Sequence, residues 1–260
     1  MATHRALVTG ASIGIGKAFA TELGRRGHDL VLVARSTAKL EELASELSAR
    51  HGIEAEVITC DLESADGPGL VARRLSSNDE PIDVLVNNAG RGVYGRFDER
   101  PLESQLGQVD LNVRALVALT HAAVGAMVAR GSGRILNVAS TAGFQPVPAE
   151  AVYGATKAFV LSFSEALHEE VRGLGVVVSA VCPGFTRSEF QQRAGIDRST
   201  VPGFLWQEAA EVARAALDAL ERGQAVCVPG VHNKVLHSLV RLAPRSLVRA
   251  GSGFVGRRIG

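Results

Sequence analysis

Cysteine is scarce in this 260-residue chain: Cys60, Cys182 and Cys227 stand far apart and are odd in number. They show neither metal-ligand spacing nor a disulfide framework, which suits a reducing compartment. Seven histidines are present and none is paired at ligand spacing, so no metal is expected. Charge is nearly balanced at +1, which leaves nothing global to hold a nucleic acid. There is no run of about 18 uninterrupted apolar residues, so no transmembrane helix is expected. Met1 to Arg5 run straight into a short apolar segment with no signal-peptide pattern. These absences predict a soluble, cytoplasmic enzyme or binding protein. One absence is local: from Arg222 to Gly260 there is no Asp or Glu, against seven arginines and lysines and two histidines.

What is present alternates. The length suits one large α/β domain or two small ones. Residues 6–8, 30–34, 55–59, 82–86, 134–139 and 176–181 are apolar runs that read as strands. Between them, residues 17–26, 37–50, 68–77, 101–129 and 149–172 read as helices. A helix over 207–222 and a strand over 225–228 follow. The alternation implies six parallel strands and a seventh, with helices on both faces. The predicted fold is therefore a Rossmann-like, doubly wound parallel sheet in a three-layer αβα sandwich. No internal boundary is evident, so residues 1–228 are read as one domain and 229–260 as a basic amphipathic extension.

The strand ends carry the chemistry. Thr9-Gly10-Ala11-Ser12-Ile13-Gly14-Ile15-Gly16 joins the first strand to the first helix. Glycines there let the backbone approach a pyrophosphate, and the helix N-terminus offers free N–H groups to it. The second strand ends at Arg35, where dinucleotide folds usually place a carboxylate for the ribose hydroxyls. An arginine suits a 2′-phosphate, with Ser36 and Lys39 as helpers, so NADP is expected and NAD less so. Asp61 ends the third strand and would meet an adenine amino group or cap the next helix. Asn87-Asn88-Ala89-Gly90 ends the fourth; its amides must find partners, and Gly90 would leave room for a ribose. Tyr153 and Lys157, spaced i and i+4, share one helix face. An ammonium beside a phenol favours phenolate, which would let Tyr153 act as acid or base near neutral pH. A half-buried Tyr and a solvated Lys would show the same spacing.

Together TGASIGIG (9–16), Asp61, NNAG (87–90), Asn112, Ser140, YGATK (153–157) and PG (183–184) keep the order of the short-chain dehydrogenase/reductase family, and the chain resembles its compact single-domain form. The resemblance implies an oxidoreductase acting on CH–OH donors or carbonyls. Tyr153 would protonate the carbonyl oxygen, Ser140 would orient and stabilise it, and Lys157 would hold the nicotinamide ribose and lower the Tyr153 pKa. Asn112 would hold a water linking Lys157 to solvent. Gly10, Ser12, Ile13, Gly14, Ile15, Gly16, Arg35, Asp61, Leu62, Asn88, Ala89, Gly90, Pro183, Gly184, Thr186 and Ser188 would line the cofactor, with Tyr153 and Lys157. Ser188 stands where the family often has Thr, and Ile13 where NADP-preferring relatives frequently carry a basic residue. A non-catalytic NADP-binding redox sensor is the rival reading.

Substrate contacts are expected from Phe144, Pro146 and Val147 and, beyond Pro183-Gly184, from Phe185, Phe190, Phe204, Leu205 and Trp206. Residues 185–206 would form a lid. An apolar wall with few fixed charges favours a lipophilic ketone or secondary alcohol, such as an acyl or steroid-like compound. In the tail, Val231, Val235, Leu236, Leu239, Val240 and Leu242 form a stripe at helical spacing beside basic residues. It would dock on a membrane, guard an apolar entrance, or pack on its own domain or a partner. The resemblance implies homo-oligomers, dimers or tetramers, formed through the helices over 101–129 and 149–172.

Overall fold

A computed structural model describes residues 4–190, 194–195 and 202–259, and the side chains of His237, Arg241 and residues 253–259 lie outside the described set. Seven parallel strands form one sheet in the order β3-β2-β1-β4-β5-β6-β9. They are β1 (Arg5–Thr9), β2 (Asp29–Ala34), β3 (Ala55–Thr59), β4 (Val84–Asn87), β5 (Gly133–Val138), β6 (Val176–Val181) and β9 (Val226–Cys227). A separate two-stranded pair joins β7 (Thr186–Arg187) to β8 (Gln207–Glu208). The chain turns back between β1 and β4, and that switch point opens a crevice at the carboxyl ends of the strands.

The helices are α1 (Gly14–Arg25), α2 (Thr37–His51), α3 (Gly67–Leu75), α4 (Leu102–Arg130), α5 (Ala151–Glu170), α6 (Ala209–Glu221), α7 (Val231–Leu242) and α8 (Arg245–Ile259). Alternate residues of each strand face opposite layers, as a pleated strand requires. Ala6 and Val8 pack with Phe19 and Leu23 of α1, Leu43 and Leu47 of α2, and Leu217 of α6. Leu7 faces Val71 of α3 and Leu119 and Met127 of α4. Helix α4 is long and apolar enough to cross a membrane by composition, but Ala115, Leu119, Ala123 and Met127 seat its inner face in this core.

Several boundaries differ from those the sequence predicts, and four of the differences have a local cause. Helix α1 begins three residues earlier, because Gly14 at φ +57° already turns into it. Ala149 is not helical: it sits at φ +67°, a conformation that costs a non-glycine residue about 1–3 kcal/mol. Gln207 and Glu208 pair with Thr186 and Arg187 instead of opening α6. The tail is two helices, since Pro244 forbids a helical Ala243. In α4, residues Asp110–Ala115 form a π-helical turn, and Asn112 lies in it. Such bulges turn one side chain out of its ordinary helical direction, which accounts for a poor helix former in mid-helix. Of the predicted lid, residues 191–193 and 196–201 lie outside the described set.

Candidate active site

One cavity of about 790 Å³ runs along the carboxyl edge of the sheet, and every residue expected to line a cofactor does line it. At one end, the β1–α1 turn is built for close backbone approach. Gly10 adopts φ +65°, and a Cβ there would lie 2.8 Å from Asn88 Nδ2. A Cβ on Gly16 would overlap the Gly10 carbonyl oxygen, so glycine alone fits. Ile13 caps α1 without any side-chain bond to its N–H groups, leaving the first-turn donors and the positive end of the helix to an anion. This turn fits a dinucleotide pyrophosphate.

Asn88 fixes that turn to β4. Its Nδ2 donates to Thr9 O at 2.9 Å, while the Asn88 and Ala89 amides both donate to Thr9 Oγ1 at 3.0 Å. Asn87 works below the surface instead, donating to Thr120 Oγ1 at 3.0 Å and Asn137 Oδ1 at 2.9 Å. Arg35, Ser36 and Lys39 line the neighbouring wall. No described residue forms an ion pair with Arg35, so its guanidinium is available to a phosphate. Asp61 also lines the cavity; one of its oxygens accepts from Glu63 N at 3.0 Å, which ties it into a turn, while Asp66 caps α3.

At the other end stand Ser140, Tyr153 and Lys157. Lys157 is buried, and its Nζ donates to Val138 O at 2.8 Å. Burial lowers its pKa to about 8. Nζ lies 5.8 Å from the centre of the Tyr153 ring. The sequence pairing predicts that this ammonium draws the Tyr153 pKa down. Burial instead pushes the phenol well above its usual value, a hydrogen bond with Ser140 opposes that rise, and Glu150 adds to it. Lys157 is turned to a backbone carbonyl and is itself short of solvent, so the ammonium does not offset the burial of the phenol. Ser140 Oγ also accepts from Ala142 N at 3.1 Å, which fixes the hydroxyl at the start of its loop.

Asn112 does not line the cavity. Its Oδ1 accepts from Arg91 N and its Nδ2 donates to Arg91 O, both at 2.9 Å, and Nδ2 also reaches Thr156 Oγ1 at 3.0 Å. It clamps the loop after β4 to the helix that carries Tyr153. Only at Gly90 do Asn112 and Lys157 approach a common point: a Cβ there would meet Asn112 Oδ1 at 3.2 Å and Lys157 Nζ at 3.4 Å.

Of the expected substrate residues, Phe144, Val147, Phe185, Phe190 and Leu205 line the cavity. Pro146 is exposed and stands outside its wall. Trp206 forms a second layer, with its ring 5.7 Å from Phe185 and 5.9 Å from the Arg187 guanidinium. Phe204 is 76% exposed. Among the wall residues that the sequence reading did not name are Leu111, Gln145, Glu150 and Asn233. Asn233 is buried, its Nδ2 donating to Gln207 Oε1 at 2.7 Å and Pro229 O at 2.9 Å. It anchors α7 so that Leu236 and Val240 complete the apolar end.

A family model for short chain dehydrogenases matches residues 4–199. The very-long-chain 3-oxoacyl-CoA reductase of Bos taurus is 37% identical over 188 residues, 71% of this chain and 60% of that protein. Matches to such reductases span between 60% and 65% of their length. Among solved structures, a short-chain dehydrogenase from Sphingobium yanoikuyae in complex with NADPH is 37% identical, with a TM-score of 0.83 over 94% of this chain and 97% of that one. A bulky-bulky ketone specific alcohol dehydrogenase from Comamonas testosteroni is 33% identical, with a TM-score of 0.80 over 95% and 97%. With a family model over most of its length and solved relatives of the same fold at more than 30% identity, the chain belongs to the short-chain dehydrogenase family.

Proposed function

We propose that this chain is an NADP(H)-dependent carbonyl reductase that converts apolar ketones to secondary alcohols. The observation that carries the reading is the placement of Ser140, Tyr153 and Lys157 together where a dinucleotide-shaped groove meets an apolar one. A nicotinamide held there would supply hydride. The turn over 10–16 would hold its pyrophosphate, Arg35 with Ser36 and Lys39 a 2′-phosphate, and Asn88, Ala89 and Gly90 the neighbouring ribose. Pro183, Gly184, Thr186 and Ser188 would close over the far side. Tyr153 gives its proton to the carbonyl oxygen as negative charge grows there, and Ser140 donates a hydrogen bond to the same oxygen. Lys157 fixes a ribose and keeps a positive charge near the phenolate left behind. The names of the relatives, a 3-oxoacyl-CoA reductase and a bulky-ketone dehydrogenase, support a lipophilic carbonyl substrate.

Arg35→Glu tests the cofactor half. The preference for NADPH over NADH, read as a ratio of kcat/KM, is expected to fall about 100-fold, the loss of charge-assisted bonds to one phosphate. An unchanged ratio would remove Arg35 from the site.

The tail supports contact with an anionic membrane surface. On α7, Val235, Leu239 and Leu242 are at least half exposed, as is Leu247 on α8, so this stripe does not pack on its own domain. The same segment has no carboxylate to repel anionic headgroups. Its other face lines the cavity with Leu236 and Val240, which would place the apolar mouth at the bilayer. Replacing Val235, Leu239, Leu242 and Leu247 by Gln is expected to abolish co-sedimentation with phosphatidylglycerol vesicles and leave Asn233 in place. If the unmutated protein does not co-sediment, or the quadruple variant still does, the membrane reading falls. Light scattering without vesicles shows whether the stripe holds a second copy instead. Exposed Leu102, Leu106 and Val109 on α4 and Phe159 on α5 support self-association through those helices, which the same measurement reads.

A further inference from the structure

The polar group of the substrate pocket that the mechanism does not use is Glu150. It sits immediately before α5, three residues ahead of Tyr153, and lines the cavity. Its Oε1 is sealed from solvent and has no hydrogen-bond partner. Gly92, in the loop after β4, marks where three groups converge. A Cβ at that position would lie 3.2 Å from Phe190 Cζ, 3.3 Å from Glu150 Oε1 and 3.4 Å from Tyr153 Cδ2. The carboxyl is thus beside the edge of the catalytic ring, in a wall otherwise built from Phe144, Val147, Phe185 and Phe190. The chain goes to some cost to place it, since Ala149 before it is held at φ +67° by a bond from Gly95 N to Ala149 O at 2.9 Å. Oε1 is packed away, so the carboxyl's other oxygen, neither sealed nor hydrogen-bonded, is the acceptor that Glu150 offers to the cavity.

We propose that Glu150 is a substrate-recognition residue that accepts a hydrogen bond from a hydroxyl on the ketone, so that the preferred substrates are hydroxyketones with an otherwise apolar skeleton. This deepens the carbonyl-reductase reading and rests on it. A donor on the substrate satisfies that open oxygen, where a plain hydrocarbon strips it of water and leaves it stranded. A carboxylate on the substrate would meet like charge, so acidic ketones are disfavoured. Discrimination between a site's intended hydroxyl and its deoxy analogue is large, because the unmatched analogue leaves a buried acceptor unpaired.

The surroundings set the pH dependence. The groups facing Glu150 are Tyr153 and, beyond it, Lys157 on α5, Tyr94 from the loop after β4, and Glu189 on the far wall. Tyr94 OH is also buried without a partner, and burial, with Glu150 adding to it, raises its pKa. Arg91 is drawn away to Glu63 at 3.2 Å. No described cation therefore pairs with Glu150, and burial raises its pKa to about 7. A hydroxyl donor binds the carboxylate in preference to the acid, so its binding should strengthen as pH rises through that value.

The test uses the full chain with NADPH and a matched set: cyclohexyl phenyl ketone and its 3- and 4-hydroxycyclohexyl analogues. In the unmutated protein at least one hydroxylated ketone should exceed the parent about 10-fold or more in kcat/KM, chiefly through KM. That KM should fall between pH 6 and 8, whereas the parent's should not. Glu150→Leu should erase the preference and improve the parent ketone; Glu150→Gln should make the hydroxyketone KM flat with pH. NADPH affinity, unchanged in both variants, reports that they fold. If the hydroxylated and parent ketones are reduced equally well before and after Glu150→Leu, the recognition role is overturned while the reductase reading stands. If no ketone in the set is reduced although NADPH binds, the reductase reading fails and the Glu150 role falls with it.

Discussion

Tyr153→Phe is expected to lower kcat/KM for ketone reduction by about 1,000-fold or more, with NADPH affinity within about 3-fold of the unmutated protein. The substitution removes one oxygen and little else. The ring keeps its place 5.6 Å from Phe190, and Ser140 keeps the Ala142 amide as a donor to its own oxygen. What disappears is the phenolic proton that passes to the carbonyl oxygen. Because that proton moves only as the carbonyl oxygen gains charge, the loss should fall on kcat as much as on kcat/KM. Steady-state reduction paired with NADPH fluorescence titration reads both. Retention of more than a tenth of the activity would remove Tyr153 from the chemistry.

Lys157→Met is expected to do two opposed things: abolish reduction and stabilise the fold at pH 7. Lys157 is buried with a carbonyl as its one hydrogen-bond partner and no carboxylate nearby, and its pKa falls from 10.5 to about 8. A base whose pKa is lowered by folding binds its proton more tightly in the unfolded chain. Between pH 8 and 10.5 the unfolded chain therefore holds more protons, and stability of the unmutated protein rises with pH across that window. Below it the full cost of burying the charge is present, on the order of 3 kcal/mol. Methionine fills the same volume without that charge. The advantage of the variant in urea unfolding should be largest at pH 7 and should shrink as pH approaches 10.5. The activity loss, about 1,000-fold, reflects a missing cation at the ribose and the phenolate. If the stability difference does not change with pH, Lys157 is not the desolvated ammonium the structure describes.

Much of this was legible in the chain, and the reasons are local. Apolar runs such as 30–34 and 176–181 can only be strands buried on both faces, and glycines at 10, 14 and 16 mark a turn that no other residue closes. Sequence order then placed the cofactor residues along one edge. What escaped depends on contacts far apart in the chain. Gln207 and Glu208 read as helix until Thr186 and Arg187 arrive to pair with them. Asn112 reads as a misplaced amide until the π-helical turn aims it at Arg91. Glu150 reads as an ordinary charge near a helix start, because neither the left-handed Ala149 nor the approach of Gly92 is visible in neighbouring residues. The spacing of Tyr153 and Lys157 predicts a shared face, and both side chains line the cavity, but the burial that raises the phenol's pKa is not visible in that spacing. Proximity of a cation is a pairwise idea, whereas burial is a property of the whole fold.

The most direct measurement of the central claim is product formation. The unmutated protein is mixed with NADPH and an apolar ketone such as cyclohexyl phenyl ketone or a hydroxylated analogue. Loss of NADPH absorbance is then compared with secondary alcohol quantified by chromatography. The account predicts one alcohol formed for each NADPH consumed, with slower turnover when NADH replaces it. Tight NADPH binding with no alcohol from any ketone would contradict it, and would favour a redox sensor built on the same fold.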